Sequence, residues 1–213
     1  MGPVTRTLLA LNVATFVVQA LVGDAMIARF ALWPIGASRS IAGLDGVAHF
    51  EVWQLVTSSL LHANLNHLLV NMFALYMFGR DVETALGASR YLRLYLAAVV
   101  SSALLQLAVV SWPTGGPALP TLGASGGVFG VLLAFGMLFP RRTVTLLFPP
   151  IPMPAWLFVI GYGLLELVNG VTGTRAGVAH FAHLGGMLGA LVLLLRWRRH
   201  AAMPGALPEP EAH

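Results

Sequence analysis

The 213-residue chain contains no cysteine, so disulfides and thiolate metal sites are excluded. Lysine is also absent: all twelve basic side chains are arginine, against eight acidic ones, for a formal net charge of +4. Charged residues make up only 9% of the sequence, where a soluble domain carries about 25%. So few charges cannot cover a water-facing surface. With 57% hydrophobic residues and a mean hydropathy of +0.80, the composition specifies an all-α, polytopic membrane protein. In such a protein an arginine excess sets topology, and nucleic acid is not an expected partner. There is no H-E-x-x-H, no internal repeat and no second domain, so residues 1–213 read as one unit. Met1–Thr7 runs into apolar sequence without a small-residue cleavage site, which gives no sign of a cleavable signal peptide.

Six apolar stretches remain, at about 7–23, 62–79, 91–111, 122–139, 154–170 and 179–196. Each is near the length that crosses about 30 Å of hydrocarbon, and several are short. They define a membrane core at about 7–196. A long first loop, 24–61, carries Trp33, Phe50 and Trp53 and reads as interfacial. The tail, 200–213, is Pro/Ala-rich and is expected to be disordered. With both termini inside, the inner segments hold Arg6, Arg80, Arg90, Arg93, Arg141, Arg142, Arg196, Arg198 and Arg199. The outer ones hold Arg29, Arg39 and Arg175. That asymmetry places both termini in the cytoplasm.

Polar side chains inside the spans are expensive and need a reason. The second span carries His62, Asn64, Asn66, His67 and Asn71; the fourth opens at Ser125; the sixth opens with His180 and His183. Measured from the arginines at their inner ends, His67 and His183 lie about 20 Å up and Ser125 about 24 Å up, at 1.5 Å per residue. Serine, histidine and a His/Asn pair therefore share one level, a few ångströms below the outer edge. A serine beside a proton-accepting histidine is the minimum for nucleophilic acyl chemistry, and His/Asn donors can stabilise an oxyanion. Four glycines (Gly123, Gly126, Gly127 and Gly130) surround Ser125. Pro117 and Pro120 put a helix start near it, where free N–H groups and the positive dipole end are available.

Plainer readings compete. Glycines in membrane helices commonly serve close packing. Gly123-Ala124-Ser125-Gly126-Gly127 matches G-x-S-x-G, but the nucleophile elbow of soluble hydrolases needs a strand before it, and none is expected. A histidine in a bundle is often a hydrogen-bonded strut. Metal ligation by the four histidines lacks a thiolate or nearby carboxylate, since Glu166 lies in another span.

Taken together, these residues resemble the rhomboid intramembrane serine proteases, of the bacterial type, over about residues 8–196. The family's G-x-S-G is Gly123-Ala124-Ser125-Gly126. Its A-H-x-x-G is Ala182-His183-Leu184-Gly185-Gly186. Its H-x4-H-x3-N fits His62, His67 and Asn71, and its loop-one element is Glu51-Val52-Trp53. The resemblance implies a six-transmembrane-helix bundle in the minimal form. It implies Ser125 as nucleophile and His183 as general base in a dyad without an acidic third member. It further implies an oxyanion hole from His67, Asn71 and the Ser125 N–H, and His62 as a structural hydrogen-bonding residue. Gly123, Gly126, Phe129 and Gly186 would support the site. No cofactor or metal is implied. The expected substrates are single-span membrane proteins cleaved near the outer face of a bacterial plasma membrane. A catalytically inactive, helix-binding relative is the alternative, and a transporter would want more intramembrane charge and inverted repeats.

Three departures from the family pattern are read: the minimal form, expected to be without an extra cytoplasmic domain or seventh helix, and two residue differences. The arginine that often follows the loop-one tryptophan is Gln54 here. A tyrosine common four residues after the nucleophile is Phe129, which keeps a ring for stacking but no hydroxyl. Glu83 matches a glutamate expected to hold cytoplasmic loop structure. Gly186 with Ala190, or Gly185 with Gly189, could seat the sixth span against a neighbour. Glu166, alone in the fifth span, faces either water or a polar partner.

Overall fold

A computed structural model describes residues 1–36, 39–40, 47–111, 119–145, 150–173 and 179–201. Residues 202–213 of the expected tail, Pro117 and Arg175 lie outside them. The described residues are mostly helical. Among the described residues, helices of 14 to 23 residues overlap the expected apolar stretches, with α4 running past its stretch: α1 (Pro3–Val22), α4 (Leu65–Leu86), α5 (Ala88–Val110), α6 (Ser125–Leu138), α7 (Ala155–Thr172) and α8 (His180–Ala201). By length and composition α1, α5, α7 and α8 can each cross a membrane, and α6 is a shorter apolar helix. The first loop is built, with helix α2 (Asp24–Phe30), a short hairpin β1 (Arg39–Ser40) and β2 (Val47–Ala48), helix α3 (Gln54–Thr57) and a 3-10 turn. A second hairpin, β3 (Thr143–Thr145) with β4 (Pro152–Pro154), joins α6 to α7. The all-α expectation is corrected to that extent.

Local chemistry explains the boundaries. Asn64 caps α4 by accepting the His67 N–H at 2.9 Å, the usual role of asparagine at a helix start. Gly87, at φ +77°, lets the chain turn from α4 into α5. The six helices are held by small residues. A side chain on Gly186 would collide with the Gly126 backbone, and one on Gly130 would meet Ala190 Cβ at 3.3 Å, so this face of α8 lies on α6. Gly185 and Gly189 face Ser101 and Ala97 of α5 with equal closeness. Both faces weighed from sequence are used: α8 is wedged between α5 and α6. Around that wedge Leu75, Tyr91, Leu94, Val131, Ala134 and Ala190 are fully buried.

Polar residues fasten α1 and the first loop. Glu83 on α4 accepts hydrogen bonds from the Val4 N–H (2.8 Å), the Thr5 N–H (2.9 Å) and the Thr5 hydroxyl (2.6 Å). It therefore holds the open start of α1, where donors and dipole favour an anion, and the loop role expected for it is corrected. Gln54 is buried. Its Oε1 accepts the Trp33 N–H (3.2 Å) and its Nε2 donates to the His49 carbonyl (3.0 Å). A neutral amide thus anchors the loop at the position where the resemblance leads one to expect arginine.

Candidate active site

Ser125 is the first residue of α6. The first backbone bond of this helix runs from the Val128 N–H to the Ala124 carbonyl (3.0 Å). The N–H groups of Ser125, Gly126 and Gly127 therefore stand at its open end without intrahelical partners. The segment leading in is held by loop one: Leu32 and Thr121 exchange two backbone bonds of 2.9 Å, and the Gly123 N–H donates to Ser58 O at 2.9 Å. Gly123 sits at φ +133°, and a Cβ there would press on the His67 ring at 2.7 Å. Conformation and space both require glycine.

α8 brings His183 to this point. Its Nε2 lies 2.9 Å from Ser125 Oγ. Phe129, one turn along α6 from Ser125, stacks on the imidazole at 4.2 Å and 6°. Tyr162 of α7 tilts against Phe129 at 5.5 Å. The other imidazole nitrogen, Nδ1, is 2.8 Å from Glu166 Oε2, and His180 Nδ1 is 2.6 Å from the same oxygen. A carboxylate is acceptor-only, so both Nδ1 atoms donate. That fixes the His183 tautomer with Nε2 free to accept the Ser125 proton. The resemblance implies a dyad without an acidic third member; in the structure a carboxylate from α7 sits behind the histidine, within hydrogen-bonding distance. The sequence carried one signal of this, because a lone buried carboxylate in an apolar helix must find donors. Its direction around α7 was not readable without the neighbouring helix.

His67 and Asn71 line the other side. The His67 ring edge and Ser125 Oγ flank Gly123. The Ala63 N–H makes a long bond to His67 Nδ1 (3.5 Å), which leaves Nε2 to carry the proton of the neutral ring. Asn71 Nδ2 donates one hydrogen to the His67 carbonyl at 2.9 Å, and its second remains available. His62 is fully buried. Its ring packs edge-on to His67 at 5.1 Å. Its backbone is clasped by the Gln19 amide: Gln19 Nε2 donates to His62 O (2.7 Å) and the His62 N–H donates to Gln19 Oε1 (3.1 Å). Gln19 was missed in the sequence. The sign was there, since Thr5, Asn12 and Gln19 recur every seven residues along α1 and all three are buried.

Glu166, His180 and His183 also offer three ligand atoms within 4.8 Å of one another. Zinc, at bond lengths of about 2.0–2.2 Å, would hold tetrahedral ligands roughly 3.3 Å apart. The spacings of 2.6 and 2.8 Å are hydrogen-bond lengths instead.

An apolar helical bundle thus brings a serine, a histidine and a carboxylate into one hydrogen-bonded series. A family model described as Rhomboid domain matches residues 49–199, and the chain belongs to the rhomboid family. It is 34% identical over 145 residues to Rhomboid protein 1, mitochondrial, of Saccharomyces cerevisiae (64% of this chain, 40% of that protein). It is 33% identical over 171 residues to RHOMBOID-like protein 12, mitochondrial, of Arabidopsis thaliana (73% and 48%). Rhomboid protease GlpG of Yersinia pestis is 24% identical over 209 residues (94% and 65%). The chain thus spans less than two thirds of each relative, and these come from mitochondria and bacteria alike. Family and apolar helices together make this an integral membrane protein.

Proposed function

We propose that this chain is an intramembrane serine endopeptidase that cleaves transmembrane-helix substrates near the outer membrane face. Ser125 is the nucleophile and His183 the general base. The observation that carries the reading is the 2.9 Å approach of Ser125 Oγ to His183 Nε2 across two apolar helices. Helix α6 has 14 residues, about 21 Å at 1.5 Å per residue, and so falls short of a core about 30 Å thick. A helix that ends at the inner boundary and starts at Ser125 sets the hydroxyl several ångströms below the outer surface. Non-helical backbone at that depth is tolerated because loop one satisfies it.

A substrate helix must unwind locally, since its carbonyls are otherwise hydrogen-bonded and shielded. Gly, Ser or Pro near the scissile bond would ease this. Ser125 Oγ then attacks the carbonyl carbon while His183 Nε2 takes its proton. The oxyanion forms at the open end of α6, against the Ser125 N–H, with His67 Nε2–H and the free Asn71 hydrogen as further donors. His183 returns the proton to the leaving amine, and water releases the acyl group by the reverse sequence. Both termini lie in the cytoplasm in this reading.

A fluorophosphonate probe tests it on detergent-solubilised protein, beside cleavage of a reporter with one transmembrane helix. The parent should label and cleave, and Ser125→Ala and His183→Ala should do neither while remaining folded. Cleavage by Ser125→Ala at the parent's rate refutes the reading. A folded parent that neither labels nor cleaves is the inactive relative instead.

A further inference from the structure

We infer that Glu166 is the positioning residue of the reaction, the third member of a Ser125–His183–Glu166 relay contributed by α7; this rests on the protease reading above. Three observations support it. The carboxylate oxygen is 2.8 Å from His183 Nδ1, in line with the 2.9 Å contact from Nε2 to Ser125 Oγ. Glu166 is only 6% exposed, and a buried carboxylate persists only where charge or donors compensate it. His180, one helical turn before His183 and itself buried, gives its Nδ1–H to the same oxygen at 2.6 Å. That second donor fixes the carboxylate's rotamer independently of His183, so the catalytic ring meets a pre-set acceptor.

The proton accounting is closed. As the Oγ–C bond forms, the carbonyl π pair moves to oxygen and the hydroxyl proton passes to His183 Nε2. The imidazolium keeps its Nδ1–H, donated to Glu166, which remains ionised throughout. As the C–N bond breaks, the Nε2 proton goes to the leaving nitrogen. Glu166 takes no proton: it selects the tautomer and stabilises the transient positive ring. A resting dyad would leave both to solvent, which is scarce below the membrane surface.

Glu166→Gln keeps shape and removes charge, whereas Glu166→Asp keeps charge and shortens the arm by one methylene. The titratable groups facing the pair are His180 on α8, Ser125 on α6, Tyr162 one turn away on α7, and His67 on α4, within electrostatic reach of His183. All are retained in both variants. For Glu166→Gln we expect kcat to fall about 10⁴-fold, the size of loss seen when a triad carboxylate is removed. KM should stay within twofold, so the loss falls on kcat. Glu166→Asp should recover at least tenfold over Gln. Thermal unfolding of each variant reports folding. A Gln variant that matches the parent in kcat overturns the inference, as does an Asp variant worse than Gln, which would mark Glu166 as a strut chosen for shape. If the parent labels at Ser125 while the Gln variant labels equally fast, this inference fails alone. If the parent neither labels nor cleaves, the protease reading fails and takes the relay with it.

Discussion

Gly186→Ala couples helix packing to chemistry and can be worked through from distances. A Cβ on Gly186 would lie 2.7 Å from the Gly126 carbonyl carbon and 3.1 Å from its Cα, with the carbonyl oxygen nearer still. All three atoms are backbone, so no rotamer relieves the clash. Carbon atoms prefer about 3.5–4.0 Å, so α6 and α8 must part by roughly 1 Å. Gly126 follows Ser125 directly, and Gly186 lies one turn beyond His183. The 2.9 Å Ser125–His183 contact therefore opens to roughly 4 Å, past hydrogen-bonding range. A misplacement of that size costs on the order of 10²-fold in rate, and the overpacking costs about 1–3 kcal/mol in stability. Fluorophosphonate labelling rates give the first number and detergent thermal unfolding the second. Gly163→Ala serves as control, because its added methyl meets only the flexible end of Met187 at 3.3 Å, and labelling should be unchanged. If Gly186→Ala labels as fast as the parent, close α6–α8 contact does not set the nucleophile–base distance and the reasoning fails.

Three further outcomes follow from the same contacts. Glu83→Ala strands the Val4 and Thr5 N–H groups and the Thr5 hydroxyl, so stability should drop by about 1–3 kcal/mol in thermal unfolding, while labelling per folded molecule stays near the parent's. Asn71→Ala removes one candidate oxyanion donor, and kcat should fall about 10²–10³-fold with the protein still folded; loss of folding would make Asn71 a structural residue instead. Gly161→Ala fills open space on α7 and should stabilise the fold by about 0.5–1 kcal/mol through helix propensity, readable as a higher melting temperature.

What could be read in the sequence, and what could not, divides by the range of the interaction. Most helix ends were legible within a few residues because they are local: glycines at turns, prolines before α7, and arginines after α6; α4 and α8 instead run on past Arg80 and Arg196, to Leu86 and Ala201. The shared level of Ser125 and the α8 histidines was legible for a different reason, although choosing His183 over His180 took the family resemblance. A membrane of fixed thickness turns residue number into depth, so two polar residues equally far from their arginines stand at one height before any fold is known. Depth leaves rotation about the helix axis open, and each missed feature was one of rotation. Glu166 sits in the right span, yet only the position of α8 decides that it points at His183 rather than at lipid. Gln19 likewise has a depth near His62, but its amide reaches that backbone only because α1 turns its seven-residue polar stripe toward α4. Gly186/Ala190 against Gly185/Gly189 looked like a choice between faces, because sequence gives one helix at a time; α8 has neighbours on both sides, and both small-residue faces are needed. In this chain burial supplies the missing information. A charged or amide side chain inside hydrocarbon has so few tolerable orientations that it turns toward another polar group. Pairing leftover polar residues by depth would have joined Glu166 to His180 and His183 before any coordinates existed.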